Sequence, residues 1–157
     1  LLTLRDEYPA LLPGPETDDL AQRAQLFEEY LAAEKKAGRL DLKLKNAGAS
    51  RALLHGHCHQ KAFGLMGGVG DVLSLVPGLT VETVESSCCG MAGSFGYEAE
   101  NFDHSMAMAE LNLQPAVRGA GADDLIVADG TSCRHQIRDG AGRTALHAAE
   151  LLARALA

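Results

Sequence analysis

The four cysteines of this chain are the residues most able to do chemistry, and two of them are adjacent. They are Cys58, Cys88, Cys89 and Cys133. Adjacent cysteines rarely bond to each other, because closing a ring across one peptide unit strains both the disulfide torsion and the backbone. We therefore expect the sulfurs of the adjacent pair to face a common third group. A cofactor, and first of all a metal centre, is what this pattern indicates.

The spacing of the cysteines excludes a metal site built from one short segment. Zinc fingers place their ligands in pairs two to four residues apart, whereas the separations here are 30 and 44 residues. Four thiolates around one centre suit an iron–sulfur cluster or Zn²⁺. The alternative is that some of these cysteines, Cys133 first among them, are simply buried packing residues.

Glycines follow the cysteine pair at short intervals, at Gly90, Gly93 and Gly96. Because glycine has no Cβ, these residues let the backbone approach a bound group closely. Their spacing is not G-x-G-x-x-G and no Lys-Ser or Lys-Thr follows, so a nucleotide loop is not expected. We expect close packing of the backbone on a cofactor instead.

Histidines flank two of the cysteines. On an extended segment His55, His57 and His59 share one face opposite Cys58, but a helix that begins at the cysteine removes this relationship. Each histidine could ligate a metal, donate a hydrogen bond to a cluster sulfide or relay a proton. Each could equally be satisfied by backbone groups at the start of a helix. His135, two residues after the last cysteine, has the same alternatives.

Three strand–helix units are expected to position these residues. Apolar and alternating runs predict strands at 51–55, 79–84 and 125–128, and each cysteine group falls just past the end of one strand. In parallel α/β sheets the carboxyl ends of the strands meet at one edge, where ligands bind. We therefore predict an α/β fold: a three-layer α/β/α domain with a small, mostly parallel sheet and its cysteines at the C-terminal ends of strands.

Helical periodicity and breakers predict the rest of the chain. The predicted helices cover 17–36, 60–76, 97–117 and 144–157, and a further helix opens over 134–139. The first of them is expected to end before Gly38. Pro13-Gly14-Pro15 separates the first of them from the preceding residues.

Composition argues against several classes of partner. The net charge is −7 and there is no Trp, so neither a nucleic acid nor an anionic membrane surface is an expected ligand. No run of roughly 20 apolar residues and no signal peptide is present, which predicts a cytoplasmic location.

Three segments carry a family resemblance: His-Gly-His-Cys58-His-Gln-Lys, Ser-Ser-Cys88-Cys89-Gly-Met-Ala-Gly-Ser-Phe-Gly, and Asp-Gly-Thr-Ser-Cys133-Arg-His-Gln-Ile. They resemble the CCG cysteine-rich domain of heterodisulfide reductase, of the iron–sulfur subunits of glycolate oxidase and anaerobic glycerol-3-phosphate dehydrogenase, and of the C-terminal part of fused FAD-linked oxidases. The combination of the double cysteine with the third segment looks most like the fused oxidases, whose flavin part is similar to D-lactate or D-2-hydroxyglutarate dehydrogenases.

The resemblance implies a set of site residues. The implied metal ligands are Cys58, Cys88, Cys89 and Cys133, the residues around the cofactor are His57, His59 and His135, and Gly90 and Gly93 supply backbone N–H groups. The family pattern has a final cysteine where this chain has Gln136. A five-cysteine centre is therefore not expected, and a four-thiolate site, a Cys/His site, a zinc site and an intact fold with no metal in the isolated fragment stay open.

The resemblance also implies a function and a domain plan. The chain is expected to be the C-terminal iron–sulfur electron-transfer module of a flavin-dependent 2-hydroxy-acid oxidoreductase, inactive on its own. Electrons would come from FAD on another domain, through ferredoxin-type clusters of the same or a partner chain, and pass to an acceptor. Residues 1–16 are expected to be the tail of a preceding CCG-type module and 17–157 the CCG domain, at most peripheral to the inner membrane through its partners.

Two other classes of function remain open at this point. One is a zinc-stabilised or metal-free protein-interaction domain. The other is a thiol redox enzyme with Cys88 and Cys89 as nucleophiles, which is disfavoured because no basic residue beside them is expected to lower a thiol pKa.

Overall fold

A computed structural model of the chain describes residues 1–86 and 88–157. The chain divides into two compact units, Leu1–Asp41 and Leu42–Ala157. All four cysteines belong to the second unit. No helix within the described residues is long and apolar enough to cross a membrane.

The first unit is helical. Its helices are α1 (Glu7–Leu11), α2 (Pro15–Arg23) and α3 (Phe27–Lys36), after a short 3-10 turn at Leu2–Leu4. The single helix predicted over 17–36 is wrong, because the backbone is extended between α2 and α3. The carboxylate of Glu29 accepts a hydrogen bond from the Leu26 backbone N–H at 2.9 Å, which caps a new helix. Gly38 ends α3 as predicted, with a φ of +68°.

The second unit is built on a four-stranded sheet in the order β2-β1-β3-β4, and every neighbouring pair of strands is parallel. The strands are β1 (Arg51–His55), β2 (Thr80–Thr83), β3 (Leu125–Ala128) and β4 (Ala145–Leu146). The three predicted strands are confirmed, with β2 one residue shorter at each end. The fourth strand is not predicted, since its two residues carry no readable periodicity and the pattern of 144–157 favours a helix throughout.

Helices connect and cover these strands. They are α4 (Cys58–Ala62), α5 (Met66–Leu73), α6 (Phe102–Glu110), α7 (Leu113–Gly119), α8 (Thr131–Ala141) and α9 (Ala148–Ala155), with 3-10 turns at Phe95–Tyr97 and Ala99–Asn101. Two predicted helices are each divided in two. Gly64, with a φ of +69°, ends the first half of one. The other is divided before Pro115, which lies in the first turn of α7. Within a continuous helix the ring of this proline would clash with the preceding turn.

Helices lie on both faces of the sheet. Leu53 and Ile126 project from adjacent strands into a buried cluster with Val117 of α7 and Ile137 of α8. The alternate residues of the strands are also buried, and on that side α9 contacts β3 and α5. Strands with two buried faces read as continuous apolar runs, as β1 and β3 do, whereas the edge strand β2 is largely exposed. The predicted three-layer α/β/α fold is confirmed.

Candidate metal centre

The cysteines lie just beyond the C-terminal ends of three neighbouring strands. Cys58 is the first residue of α4, directly after β1. Cys88 and Cys89 lie in the segment that follows β2, and Cys133 is in the first turn of α8, after β3. Because these strands are parallel neighbours, the topology brings the three cysteine segments to one edge of the sheet.

Cys89 and Cys133 form the buried part of the site. Their side chains are 2% and 1% exposed, and the Cys133 thiol donates a hydrogen bond to Cys89 Sγ at an S–S distance of 3.2 Å. This hydrogen bond lowers the pKa of Cys89 to about 4, with further help from His55 and from the backbone N–H of Met91. The same contact, together with burial, raises the pKa of Cys133. The shared hydrogen bond therefore favours a thiolate at Cys89 and a thiol at Cys133.

Cys58 and Cys88 form the outer part of the site, and both are half-buried. The backbone N–H of Gly90 donates to Cys88 Sγ at 3.2 Å. Burial, and then the neighbouring Cys88, raise the pKa of Cys58, while the charge of Lys61 lowers it to a smaller extent. The two outer cysteines are thus close enough to interact electrostatically.

A cavity of about 330 Å³ opens over these cysteines. Its lining includes Cys58, Cys88 and Cys89, together with His57 and His59. Cys133 is not among these lining residues, but its sulfur contacts that of Cys89. The arrangement places soft sulfur donors and imidazoles around one cavity, and these Cys/His groups can hold a metal.

His55 is a site residue that the sequence analysis considered but did not select. It ends β1, is 1% exposed, and one of its nitrogens lies within 4.8 Å of the sulfurs of Cys89 and Cys133. The expectation that no basic group lies beside the cysteine pair is therefore wrong. The signal was present in the sequence, because the last residue of a central parallel strand faces the ligand edge.

The predicted histidines occupy different environments. His57 caps α4 and lines the cavity, and burial lowers its pKa. His59 also lines the cavity, with its ring centroid 5.2 Å from that of Phe63. The Nδ1 atom of His135 lies 2.8 Å from the hydroxyl of Tyr97. His135 is not one of the described residues that line the cavity.

The predicted glycines also differ from each other. Gly90 has a φ of +88°, and a Cβ there would lie 2.0 Å from the backbone oxygen of Ser105, so protein packing itself requires glycine. Gly93 lines the cavity with a φ of +68°, and a Cβ there would meet nothing within 4 Å. Gly90 is thus fixed by its contact with α6, while Gly93 borders open space.

Gly130 is a second residue that the sequence analysis did not single out. A Cβ on it would lie 2.5 Å from His57 Cδ2 and 2.9 Å from Cys133 Sγ. The absence of a side chain therefore lets the His57 ring and the Cys133 sulfur approach the same backbone. Its place between β3 and α8, next to a predicted ligand, was the available sequence signal.

Gln136 stands where the family pattern has a cysteine, and its side chain is buried and hydrogen-bonded within the protein. Its side chain is 4% exposed and its Nε2 donates to the backbone oxygen and the hydroxyl of Ser105 at 3.1 and 3.0 Å. Ser105 is the residue against which Gly90 packs. Gln136 thereby links α8 to α6 behind the cysteine segment.

A polar network joins the elements that carry the site. The buried Gln60 donates to a carboxylate oxygen of Asp129 at 3.0 Å, and the other oxygen of Asp129 accepts from the Ala148 backbone N–H at 3.0 Å. Arg134 donates to the backbone oxygens of Ala128 and Asp129 at 2.9 and 2.7 Å. These contacts fix α4, α8 and α9 to the end of β3.

Two known proteins are similar in sequence to this chain over nearly its whole length. The chain is 34% identical over 155 residues to a subunit of the anaerobic glycerol-3-phosphate dehydrogenase of Escherichia coli K12, covering 98% of this chain and 38% of that protein. It is 29% identical over 155 residues to D-2-hydroxyglutarate dehydrogenase of Escherichia coli K12, covering 97% of this chain and 14% of that protein. No protein-family model matches the chain, and no solved structure matches it significantly.

These similarities support one part of the predicted family resemblance and leave another part untested. The predicted likeness to anaerobic glycerol-3-phosphate dehydrogenase and to D-2-hydroxyglutarate dehydrogenase is confirmed. The narrower assignment to the CCG domain stays a prediction. The chain spans less than half the length of either relative. One relative is named as a subunit of a dehydrogenase and the other as a dehydrogenase.

Proposed function

We propose that this chain is an electron-transfer module of a flavin-dependent 2-hydroxy-acid oxidoreductase, in which Cys58, Cys88, Cys89 and Cys133 hold an iron–sulfur cluster. The observation that carries the proposal is the convergence of three cysteine segments around one cavity at the ligand edge of a parallel sheet. The similarity of nearly the whole chain to parts of two dehydrogenases supports a redox role.

The residues at the cavity fit such a group by their chemistry. Three cysteines line the cavity, and the sulfur of the fourth, Cys133, lies 3.2 Å from that of Cys89. Sulfur donors of this kind prefer soft metals and iron–sulfur clusters over the hard cations that oxygen ligands bind. A cluster bound there would accept and release single electrons.

The surrounding residues would hold and tune that group. The Gly90 N–H already donates to Cys88 Sγ, and hydrogen bonds to cluster sulfurs are one determinant of reduction potential. His57 and His59 line the cavity and would limit its access to water. His135, on α8 beside Tyr97, remains a candidate only for a more distant role.

The wider context is part of the proposal. The name of one relative describes it as one subunit of a dehydrogenase, which supports a partner or a further domain. We propose that FAD and ferredoxin-type clusters lie on that partner or domain, that residues 1–16 follow a preceding module of the same kind, and that 17–157 is the CCG domain. The module would work in the cytoplasm, at most at the inner membrane surface through its partners.

Anaerobic reconstitution tests the function. The reduced chain is incubated with iron and sulfide, and iron, sulfide and zinc are quantified while EPR follows dithionite reduction. We expect stoichiometric iron and sulfide and a cluster signal, which Cys88→Ser and Cys133→Ser each abolish or reduce strongly. His104→Asn, at an exposed position on α6, is the control and should match the unmodified chain.

A zinc-stabilised interaction domain is the second candidate, and one observation favours it. His55, Cys89 and Cys133 offer a compact group of one nitrogen and two sulfurs, which is a donor set that Zn²⁺ accepts. Stoichiometric zinc without iron uptake would support this candidate and contradict electron transfer. Retention of the cluster signal in Cys133→Ser would instead show that the ligand set is wrong.

A further inference from the structure

His55 is a buried histidine at the site, and only one of its two ring nitrogens is hydrogen-bonded. Its side chain is 1% exposed, and Nδ1 lies 2.8 Å from the hydroxyl of Ser86. Its Nε2 atom is buried and makes no hydrogen bond of normal geometry to any described residue. His55 also helps to lower the pKa of Cys89, but a buried nitrogen without a well-formed hydrogen bond still costs about 1–3 kcal/mol and needs an explanation.

The missing partner of Nε2 lies in the direction of the buried cysteines. One ring nitrogen of His55 and the sulfurs of Cys89 and Cys133 all lie within 4.8 Å of one another. Because Nδ1 is engaged by Ser86, Nε2 is the nitrogen that remains for a ligand. Histidines that bind metals characteristically donate their other ring N–H to a nearby acceptor, which fixes the tautomer and the ring orientation.

We propose that His55 Nε2 is a metal ligand, which with Cys89 and Cys133 forms the inner, mixed nitrogen and sulfur half of the site. The proposal rests on the proposed metal-binding function and adds a donor that the family resemblance does not imply. Ser86 is the residue that positions the imidazole. The inner half is thus a Cys₂His group that offers three donors to a four-coordinate ion, and one of the outer cysteines can supply the fourth.

The distances require only a small adjustment on binding. Two sulfurs bound at about 2.3 Å to one tetrahedral ion lie about 3.8 Å apart. The observed separation of Cys89 Sγ and Cys133 Sγ is 3.2 Å. Loss of the shared thiol proton removes the hydrogen bond that holds them together, and an opening of about half an ångström then suffices.

The neighbouring histidines lack this combination of features. His57 and His59 are only partly buried and line the open cavity. Neither has a buried nitrogen without a hydrogen-bond partner among the described residues. His55 is therefore the imidazole that the geometry selects as a ligand.

Cobalt binding tests the assignment without requiring any activity. Co²⁺ alone is titrated anaerobically into the reduced chain, and its thiolate charge-transfer and d–d bands are recorded. His55→Asn keeps an amide near the position of Nδ1 for Ser86 but removes the Nε2 donor. We expect its affinity for Co²⁺ to fall by about 100-fold and its d–d bands to shift, because the loss of an outer partner alone typically costs 10–100-fold.

Two further variants separate ligation from folding. Ser86→Ala should weaken Co²⁺ binding by about tenfold and leave the d–d pattern unchanged, since it removes only the orienting contact. His104→Asn should match the unmodified chain. Urea denaturation of each metal-free variant identifies a loss of affinity that comes from unfolding.

The outcomes distinguish this inference from the proposed function. If the unmodified chain binds Co²⁺ with thiolate bands, and folded His55→Asn has the same affinity and spectrum, His55 is not a ligand while the metal site stands. If the unmodified chain gives no thiolate bands and takes up no iron or zinc, the proposed function itself is overturned.

Discussion

Cys89 and Cys133 are 44 residues apart in sequence, yet their sulfur atoms lie 3.2 Å from each other in the buried part of the site. The parallel order of β2, β1 and β3 produces this contact, because it turns the segments after β2 and β3 towards the same edge of the sheet. The thiol of Cys133 donates to Cys89, so the fold stabilises a thiolate before any metal arrives. Such a pair needs to lose only one more proton to become a double thiolate ligand.

The reduced, metal-free chain should therefore contain a thiolate at mildly acidic pH. The pKa of Cys89 is lowered to about 4, whereas an ordinary thiol has a pKa of about 8.5. A lowered pKa means that the thiolate is present above that pKa, so absorbance at 240 nm should already include one thiolate at pH 6. Cys133→Ala removes the largest cause of the shift and should move the transition towards ordinary thiol values.

Two controls accompany this titration. Cys89→Ser should abolish the acidic transition, and circular dichroism should confirm that the chain stays folded over the pH range. Absorbance that develops only above about pH 8 in the unmodified chain would contradict the proton-sharing pair.

Gly90 and Gly93 allow a matched comparison of two alanine substitutions in the segment that follows the adjacent cysteines. Both have positive φ, but a Cβ would lie 2.0 Å from Ser105 O at Gly90 and meet nothing within 4 Å at Gly93. We expect Gly93→Ala to lower the free energy of unfolding by about 1–2 kcal/mol, the cost of the left-handed conformation alone. Gly90→Ala should cost about 3–5 kcal/mol, because a backbone clash is added.

Urea denaturation under reducing conditions measures this difference. Equal losses in the two variants would show that the contact with Ser105 does not constrain the segment. The comparison is informative because both variants add the same methyl group to the same loop.

Much of the framework could be predicted because its signals are local. The three predicted strands are short apolar or alternating runs, and the position of each cysteine after a strand end follows from the sequence. The positions at which two predicted helices are interrupted were harder to predict. Gly64 and Pro115 were available as breakers, but the apolar periodicity on either side of each residue favoured one continuous helix.

The site was less predictable than the fold because its determinants are contacts between distant segments. The selection of His55 depends on its burial beside Cys89 and Cys133, and helix formation from Cys58 onwards removes the alternation that had grouped it with its neighbours. Gln136 was recognised only as a departure from a family pattern. Its role in joining α8 to Ser105 required the structure.

Gly130 tests how closely His57 and Cys133 must approach the backbone. Its φ is −68°, so alanine meets no backbone strain, but a Cβ would lie 2.5 Å from His57 Cδ2 and 2.9 Å from Cys133 Sγ. We expect Gly130→Ala to displace one of these side chains, to weaken Co²⁺ binding by about tenfold, and to cost about 1–3 kcal/mol of unfolding free energy. Gly70→Ala on α5, where a Cβ meets nothing within 4 Å, is the control and should bind Co²⁺ normally with unchanged or raised stability. Normal Co²⁺ affinity in Gly130→Ala would show that the position of the Cys133 sulfur tolerates displacement, and that the close approach at Gly130 serves packing rather than the metal centre.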